Sequence, residues 1–503
     1  METLFIDGSW RGATGGGTRT ITCPADGREV GVVAEASAED AVAAIAAARR
    51  AFDHGPWPHT APAERAALLR RVADRLVAEK DEVARRESLD TGKRFVESQI
   101  DVDDIESVFR HFADLAATEA GHVVDPGVPD VSSRVVHEPL GVCSLITPWN
   151  YPLLQTSWKV APALAAGNSF VLKPSELTPH TSIWLCRVLA EEGLPDGVAN
   201  LVLGSGAEVG PPLTEHPDVD LVSFTGGVVT GRTIMAAAAP TVKRIALELG
   251  GKNPNVVFAD ADLPAAIDNA LTAIFLDSGQ VCSAGARLVV EESVHDEVVD
   301  ALVSRARDIR LGGPFDEDAE TGPLISEGHR DKVARHVAEA IEDGATLRCG
   351  GGPPQGEQYA DGWYFEPTIL DDCTQEMRCV HEESFGPVLT VETFSGADRD
   401  AAEDAAVAIA NDTIYGLAGA VWSENAGRAE RVARRLRHGT IWVNDYHPYV
   451  ASAEWGGYKQ SGIGRELGAA GLEEYRETKH IWHNTRPAPA GWFADRTQEG
   501  TSS

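Results

Sequence analysis

The chain has 503 residues, which is too long for one hydrophobic core and predicts two or three domains. Hydrophobic residues make up 43% and charged residues 24% of it, and no apolar run reaches the roughly eighteen residues of a membrane span. The formal net charge of −33 disfavours nucleic acid and anionic membranes as partners, because both are negatively charged. The first residues do not have the pattern of a secretory signal, so we predict a cytoplasmic location.

The seven cysteines are dispersed along the chain, which argues against a disulfide framework. None belongs to a Cys-x-x-Cys pair or to a Cys/His group with zinc-ligand spacing, so we expect no metal site. Metal-dependent catalysis therefore has no support in the sequence.

Two helices are predicted near the start of the chain from the spacing of apolar residues. The first covers residues 37–54, with Ser37 as its N-cap. The residues at helical spacing in this segment are Val42, Ile45, Arg49 and Phe52. The second covers residues 64–90, and its apolar stripe consists of Leu69, Val72 and Leu76.

From about residue 134 the chain alternates short β-rich runs with alanine-rich helical stretches, which predicts an α/β fold with a parallel sheet covered on both faces. The β-rich runs are RVVHEPLGVCSLI (134–146), SFVLK (169–173), ANLVL (199–203), LVSFT (221–225), RIALEL (244–249) and NVVFA (255–259). A second α/β region extends from RLVVEE (287–292) to about residue 445. We expect the two halves to meet along a ligand-binding cleft.

A glycine-rich stretch and a pair of opposite charges follow two of these runs. LGSGAEVG (203–210) resembles a phosphate-binding turn, although glycine-rich turns after strands are common. FVLKPSE (170–176) places Lys173 beyond a strand end and Glu176 three residues later. A carboxylate there can accept hydrogen bonds from both ribose hydroxyls of a dinucleotide, and an ammonium can donate to the same ribose. An exposed ion pair in a loop is the alternative interpretation.

Three polar residues lie in segments that contain prolines, which restrict the backbone, or glycines, which make it more flexible. Asn150 lies in ITPWNYP, Glu248 in ALELGGKNP and Cys282 in SGQVCSAGAR. Singly, each has a structural interpretation: a turn asparagine, a solvated carboxylate and a small buried cysteine. Together they supply a nucleophilic thiol, a general base and an oxyanion donor, the last assisted by the backbone N–H of Cys282. An aldehyde attacked by the thiol could release hydride to a nicotinamide, and the resulting thioester could be hydrolysed.

In the motifs that contain these residues, the sequence resembles the NAD(P)-dependent aldehyde dehydrogenase superfamily. The resemblance extends from FIDGSW near the start to WGGYKQSGIGRELG (455–468). The motifs between them, in the family order, are PWNYP, KPSE, FTGG, ELGGKNP, GQVCSAGAR and EESFGPV. The separation of Glu248 and Cys282, 282 − 248 = 34 residues, also matches the family.

The resemblance implies roles for five catalytic residues. It makes Cys282 the nucleophile, Glu248 the general base and Asn150 the oxyanion donor. Lys159 and Glu466 match a supporting pair that relays protons to Glu248.

The resemblance also implies an NAD site. The residues implied to contact the cofactor through their own backbone, or to lie beside its adenosine, are Ile146, Thr147, Pro148, Trp149, Lys173, Ser175, Glu176, Gly206 and Gly210. The remaining implied contacts are Thr225, Gly226, Gly227, Leu249, Gly250, Glu383 and Phe385, the last two beside the nicotinamide half. NAD is favoured over NADP because the charge of Glu176 would repel the additional phosphate. Many family members carry serine where Gly227 stands, so backbone N–H groups or water would replace one phosphate contact.

The implied architecture is a Rossmann-like dinucleotide-binding domain, an α/β catalytic domain and a small β oligomerisation element, assembled as a homodimer or homotetramer. The predicted boundaries are 1–118 and 140–250 for the dinucleotide-binding domain, 251–450 for the catalytic domain, 119–139 and 467–485 for the oligomerisation element, and 486–503 for a flexible tail.

Within the family the sequence is most similar to betaine aldehyde dehydrogenases, which oxidise a trimethylammonium aldehyde to glycine betaine. A quaternary ammonium donates no ordinary hydrogen bond, so aromatic faces must bind it through cation–π contacts. Tyr151, Trp158 and Trp455 match the positions of such an aromatic box, with Tyr446 and Tyr449 nearby in sequence. In aldehyde dehydrogenases of other specificity the same rings line an apolar tunnel or pack the core.

Two departures leave the substrate open. Leu276 stands where some betaine aldehyde enzymes place tryptophan, and Glu454 stands where proline is usual. We expect betaine aldehyde or a related amino-aldehyde, with a generic aliphatic or aromatic aldehyde as the alternative. The alternatives from other classes are a cysteine hydrolase, an acyl-CoA-forming enzyme, against which Glu248 counts, and a structural protein.

Overall fold

The computed structural model describes residues 3–118 and 121–493. The strands of this part, in chain order, are β1 (Leu4–Ile6), β2 (Ser9–Arg11), β3 (Thr18–Thr22), β4 (Glu29–Ala34), β5 (His122–Val124), β6 (Val131–Pro139), β7 (Val142–Ile146), β8 (Ser169–Lys173), β9 (Ala199–Leu201), β10 (Leu221–Gly226), β11 (Arg244–Leu249), β12 (Pro254–Val257), β13 (Arg287–Glu291), β14 (Thr346–Cys349), β15 (Thr368–Asp371), β16 (Val388–Phe394), β17 (Ala418–Trp422), β18 (Thr440–Val443), β19 (Gly462–Ile463) and β20 (Arg476–Asn484).

The α-helices alternate with these strands over most of the chain. In chain order they are α1 (Ala38–His54), α2 (Pro62–Ala78), α3 (Lys80–Thr91), α4 (Phe95–Thr118), α5 (Pro152–Ala166), α6 (His180–Glu191), α7 (Gly206–Glu215), α8 (Val228–Ala238), α9 (Leu263–Phe275), α10 (His295–Asp308), α11 (Glu327–Glu342), α12 (Arg399–Asn411), α13 (Ala426–Arg435) and α14 (Gly468–Glu473).

The first large sheet has eight strands in the order β19-β11-β10-β7-β8-β9-β1-β2. Its five central strands run parallel, and β7 and β8 are buried over their whole length. Parallel strands buried by flanking helices produce the continuous apolar runs seen in the sequence. Because their carboxyl ends meet at one edge, Ile146, Lys173, Gly226 and Leu249 lie along the edge where α/β sheets bind ligands.

The second large sheet has seven strands in the order β14-β15-β16-β13-β12-β17-β18 and is parallel except for β14. Strand β12 pairs with β13 so that Pro254 lies opposite Arg287. The segments that enter these two strands are the ELGGKN turn and the cysteine loop. The topology therefore brings the candidate motifs together between the ligand edge of the first sheet and the amino ends of the second.

A separate antiparallel sheet has the order β20-β6-β5, with Arg476 opposite Pro139 and Asn484 opposite Val131. The predicted oligomerisation segments 119–139 and 467–485 are thus neighbours, except residues 119–120, which lie outside the described residues. The run predicted at 134–146 is two strands, because it leaves this sheet at Pro139 and enters the first large sheet at Val142. The role of the element in assembly stays a prediction.

The helix predicted at 37–54 is confirmed as α1, and Ser37 forms a capping box with Asp40. Of the four residues at helical spacing, Val42 does not belong to the interface of α1 with the core, since it is 41% exposed. Small side chains fill that interface instead: the buried residues of α1 are Asp40, Ala41, Ala44, Ile45, Ala47, Ala48 and Ala51.

The single helix predicted at 64–90 is wrong. The structure has α2 and α3, separated at Glu79, whose backbone leaves the helical region at φ −112° and ψ 19°. Glu79 accepts hydrogen bonds from Arg75 and from Nε1 of Trp184, 2.7 Å away, and these contacts fix the break.

Of the predicted tail 486–503, residues 486–493 are exposed and form neither helix nor strand, and 494–503 lie outside the described residues. Across 3–118 and 121–493, the helices include none with the length and apolar character needed to traverse a bilayer. In the same ranges no group of three or more metal-ligating side chains is close enough to hold an ion.

Candidate active site

The cysteine loop follows a left-handed turn. Asp277, Ser278 and Gly279 have φ values of 46°, 52° and 72°, a conformation that costs non-glycine residues about 1–2 kcal/mol each. Ser278 N–H donates to Thr321 Oγ1 at 2.9 Å, and Asn253 Nδ2 donates to the carbonyl oxygen of Cys282 at 2.9 Å. These contacts hold the loop in a shape that its own backbone preferences do not favour.

The three reactive residues of the sequence analysis line one cavity of about 250 Å³. Cys282 comes from this loop, Glu248 from the end of β11 and Asn150 from the turn before α5. The Asn150 amide donates to the carbonyl oxygen of Gln280 at 2.7 Å, which fixes the side chain and leaves its second N–H for another acceptor. This arrangement gives a nucleophile, a base and an amide donor around one space.

The thiol and the carboxyl of this site both bind their protons strongly. Burial and the nearby carboxylates of Glu248 and Glu383 raise the pKa of Cys282 to about 12. Burial and the neighbouring Glu466 raise the pKa of Glu248 well above its usual value, against the opposing charge of Lys159. Burial therefore favours the protonated forms of both Cys282 and Glu248.

Lys159 and Glu466 lie behind Glu248 and do not line the cavity. Their side chains form a buried ion pair through Glu466 Oε1, and Glu466 Oε2 has no hydrogen-bond partner among the described residues. A Cβ on Gly456 would lie 3.0 Å from Oε1 of Glu248, so this glycine lets the backbone of the WGG motif approach the carboxyl. The pair supplies Glu248 with one neighbouring cation and one neighbouring anion.

A second cavity, of about 440 Å³, lies along the ligand edge of the first sheet. The sequence-predicted residues that line it are Ile146, Thr147, Pro148, Trp149, Lys173, Ser175, Glu176, Gly206, Gly210, Thr225 and Gly226. Lys173 Nζ lies 3.0 Å from Glu176 Oε2 at the cavity wall. Partial burial opposes the ionisation of Glu176, but the adjacent Lys173 outweighs it and holds the pKa below its usual value.

The glycines of this region leave room for a ligand. A Cβ on Gly206, Gly210 or Gly227 would have no atom within 4 Å. Gly206 begins α7, and Gly227 caps α8, so backbone N–H groups of two helix starts face the space. The open space, the N–H groups and the Glu176 carboxylate fit the phosphates and ribose of a dinucleotide.

The remaining predicted cofactor residues line the 250 Å³ cavity: Gly227, Leu249, Gly250, Glu383 and Phe385. Glu383 accepts a hydrogen bond from Gly251 N–H at 2.9 Å, and burial raises its pKa to about 7. Phe385 packs edge-on against Trp149 at 5.3 Å, and its carbonyl oxygen lies 2.7 Å from His329 Nε2. The two cavities adjoin, since both are lined by Pro148, Trp149, Thr225 and Gly226.

A third cavity, of about 340 Å³, lies on the other side of Cys282. Its aromatic wall contains Trp158, whose ring centre is 5.8 Å from that of Trp455 and 5.6 Å from that of Tyr449. Tyr151, Tyr446 and Leu276 also line it. Cys282 and Trp455 line both this cavity and the 250 Å³ cavity, so the thiol lies at their junction.

Acidic groups and a lysine surround part of the aromatic wall. Asp101 and Asp104 line the third cavity, and Asp104 accepts a hydrogen bond from the Tyr449 hydroxyl at 3.0 Å. Burial raises the pKa of Asp104 to about 6. The Lys93 ammonium lies 3.7 Å from the centre of the Tyr151 ring. Glu454 does not line the cavity; it is exposed, beside the start of α14.

Known proteins of similar sequence and structure show the family of this chain. The model of the Aldehyde dehydrogenase family matches residues 10–481. The chain is 54% identical to betaine aldehyde dehydrogenase of Bacillus subtilis, covering 98% of this chain and 99% of that one, and 42% identical to aminoaldehyde dehydrogenase 2 of Pisum sativum, covering 97% of each. The crystal structure of Staphylococcus aureus betaine aldehyde dehydrogenase with NAD⁺ superposes with a TM-score of 0.96 at 50% identity, covering 98% of this chain and 97% of that one.

The chain belongs to the aldehyde dehydrogenase family. The resemblance and the fold class predicted from the sequence are both confirmed. The domain boundaries and the roles of individual residues stay predictions.

Sequence reasoning missed several residues that line the cavities of this aldehyde dehydrogenase. His329 and Lys332 of α11 line the 250 Å³ cavity, and Gln155 of α5 lines it together with the third cavity. Gln155 was detectable, because it lies between Tyr151 and Trp158 on the same helix face. His329 and Lys332 follow no motif, and only the packing of α11 against the Phe385 loop brings them to the site.

Proposed function

We propose that this protein oxidises an aldehyde to the carboxylic acid with NAD, and that betaine aldehyde is its substrate. The observation that carries the proposal is the position of Cys282 between the 250 Å³ cavity, which adjoins the 440 Å³ cavity along the first sheet, and an aromatic cavity with aspartates in its wall. The similar Bacillus subtilis and Staphylococcus aureus proteins are named betaine aldehyde dehydrogenases, which favours the same substrate.

Cys282 would form the bond to the carbonyl carbon: its thiol gives its proton to solvent water, and the carbonyl π bond breaks to leave an oxyanion. Asn150, already fixed by Gln280, has a free amide N–H for that oxygen, and the Cys282 backbone N–H is the second donor. When bound, NAD would accept the hydride that leaves the tetrahedral adduct. The sulfur then holds a thioester.

Glu248 would remove a proton from the water that attacks the thioester, releasing the acid and the free thiol. The base must be charged for this step, yet burial favours its neutral form. The Lys159 ammonium favours the charged form, and Glu466 can exchange a proton within the same buried group. Lys159 thus opposes the burial and the Glu466 charge, which both raise the pKa of Glu248.

For the cofactor, Lys173 and Glu176 would hold the adenosine ribose, and the starts of α7 and α8 would face the adenine and phosphates. Glu383 and Phe385 would hold the nicotinamide half beside Cys282. The charge of Glu176 favours NAD over NADP, because a phosphate on that ribose would meet a carboxylate.

For the substrate, the faces of Trp158, Tyr449 and Trp455 would receive the trimethylammonium group, and Asp101 and Asp104 would attract its charge. The carboxylates also favour primary amino-aldehydes, whose ammonium can donate hydrogen bonds to them. Amino-aldehydes are therefore the second candidate.

The three-stranded sheet β20-β6-β5 would carry self-association into a homodimer or homotetramer. Its exposed apolar side chains include Val123 and Trp482, which are 81% and 52% exposed. A cytoplasmic location stays a prediction.

The test compares betaine aldehyde with 3,3-dimethylbutanal, a neutral aldehyde of the same shape, by following NADH absorbance. We expect turnover of both, a lower KM for the cation, and no NADH from Cys282→Ala. Trp455→Ala should raise the KM for the cation about 2- to 30-fold more than for the neutral aldehyde, the range of a cation–π contact. Equal increases would reduce Trp455 to packing, and turnover by Cys282→Ala would remove Cys282 as nucleophile.

A further inference from the structure

Lys93 is a fully buried lysine in the connection between α3 and α4, and the chemistry described above does not use it. Its side chain has no exposed surface. Its ammonium contacts three different parts of the active site: Asp101 of α4, the ring of Tyr151 and the turn at Asp277. A buried charge with three such neighbours is costly unless each contact is held in place.

The first contact is an ion pair to the wall of the aldehyde cavity. Lys93 Nζ lies 2.9 Å from Asp101 Oδ2, and Asp101 lines that cavity. The second contact is to Tyr151, whose ring centre lies 3.7 Å from the same Nζ. Tyr151 directly follows Asn150, so Lys93 holds one face of the ring beside the oxyanion donor.

The third contact reaches the cysteine loop. Asp277 Oδ2 lies 3.9 Å from Lys93 Nζ and has no hydrogen-bond partner within the described ranges. Asp277 is the first residue of the left-handed turn that precedes Cys282. The attraction of Lys93 is therefore the charge compensation that the structure offers to a buried carboxyl in a strained turn.

We propose that Lys93 is a positioning residue, which ties the turn Asp277–Gly279 to Tyr151 and α4 and so sets the position of Cys282 relative to Asn150. The proposal rests on the proposed function, because it takes Cys282 as the nucleophile. Methionine at position 93 would keep the length and the contact with the ring while removing the charge.

The test measures kcat, the KM of NAD and thermal stability for Lys93→Met and for two double variants. We expect K93M to lower kcat about 100-fold, the effect of displacing a reacting group by about 1 Å, with the KM of NAD unchanged. K93M/D277N should recover most of kcat, because it removes the uncompensated carboxyl and asparagine tolerates left-handed backbone. K93M/D101N should stay low, because Asp277 remains unpaired.

The matched control is Lys80→Met, which removes a partly exposed lysine paired with Asp103 of the same helix α4. It should have the kcat of the wild type. A normal kcat in K93M, or equal rescue by D101N and D277N, would overturn the proposal. Lys93 would then only balance the charge of the buried carboxyls of Asp101 and Asp277.

If K93M does not fold, the double variants carry the test, and we expect K93M/D277N to fold with most of the wild-type kcat while K93M/D101N does not. Failure of K93M/D277N to fold or to turn over would overturn the proposal. Failure of the proposed function is distinct, since it appears as NADH formation by Cys282→Ala whatever Lys93 does.

Discussion

At the scale of single residues, the protonation of the Cys282 thiol depends strongly on its surroundings. With its pKa raised to about 12 by burial and by Glu248 and Glu383, only about one molecule in 10⁵ carries the thiolate at pH 7 without cofactor. A raised thiol pKa means that the reactive form keeps increasing with pH until that pKa is reached. Little of the proposed nucleophile is therefore in its reactive form in the cofactor-free protein.

We therefore predict that alkylation of Cys282 by iodoacetamide in the cofactor-free protein accelerates about tenfold per pH unit from pH 7 to 10, with no plateau. Mass spectrometry of the Cys282 peptide measures the rate. The other six cysteines are buried, and Cys282→Ala provides the background. A plateau near pH 8 would mean that the thiol pKa is not raised.

Glu248 gives a second prediction, because its proposed role comes only after hydride transfer. Glu248→Gln should release one NADH per active site rapidly and then turn over about 10²- to 10⁴-fold more slowly, as expected for loss of a general base. Stopped-flow absorbance separates the two phases. Loss of the rapid phase as well would give Glu248 a role in an earlier step.

The candidate catalytic residues within short motifs could be located from the sequence. Cys282, Glu248 and Asn150 each stand in a segment whose glycines or prolines mark unusual backbone, and the structure brings all three to one cavity. Lys93, Asp104 and His329 were not predictable, because a lysine between two helices, or an aspartate or histidine on a helix, is usually solvated. Their functional position depends on how α4 and α11 pack, which no local pattern records.

At the scale of elements, strands were predicted better than helix ends. Buried parallel strands produce apolar runs with few interpretations, and the run SFVLK is the whole of β8. The apolar stripe at 64–90 continues across a break at Glu79, so periodicity alone could not divide α2 from α3. The break depends on a contact with Trp184, more than a hundred residues away.

Helix α7 gives a prediction at this scale. Gly210 faces open space in the 440 Å³ cavity, and a leucine there would occupy the space proposed for adenosine. Gly210→Leu should raise the KM of NAD at least about tenfold, or about 1.4 kcal/mol, with kcat at saturating NAD retained.

The matched control is Gly210→Ala, whose methyl group meets no atom within 4 Å outside its own helix. It should bind NAD normally. Normal NAD affinity in the leucine variant would place the adenosine elsewhere.

At the scale of the whole molecule, the active site depends on the contact between the two large sheets. Gly251, between β11 and β12, lies so close to the cysteine loop that a Cβ there would be 2.7 Å from the carbonyl oxygen of Cys282. Glu383, from the second sheet's side, hydrogen-bonds the N–H of the same glycine. The proposed nucleophile is thus held by both halves, so disturbing their contact should disturb the proposed chemistry.

The proposed self-association through the sheet β20-β6-β5 involves the charge of the whole molecule. Chains with a net charge of −33 repel one another, so self-association must come from apolar contact strong enough to exceed that repulsion. Val123 and Trp482 are the exposed apolar side chains expected to supply it. Val123→Glu should convert the assembly to smaller species in sedimentation velocity, because it adds a charge where apolar contact is needed.

Varying the salt concentration tests the same prediction independently. Because screening at about 0.15 M salt already shortens the reach of charges to about 8 Å, raising the salt further should strengthen the wild-type assembly and partly restore that of V123E. The matched control is Val77→Glu on α2, where the replaced valine is 60% exposed but lies outside the three-stranded sheet. If V123E and V77E sediment alike at every salt concentration, the sheet β20-β6-β5 does not carry the assembly.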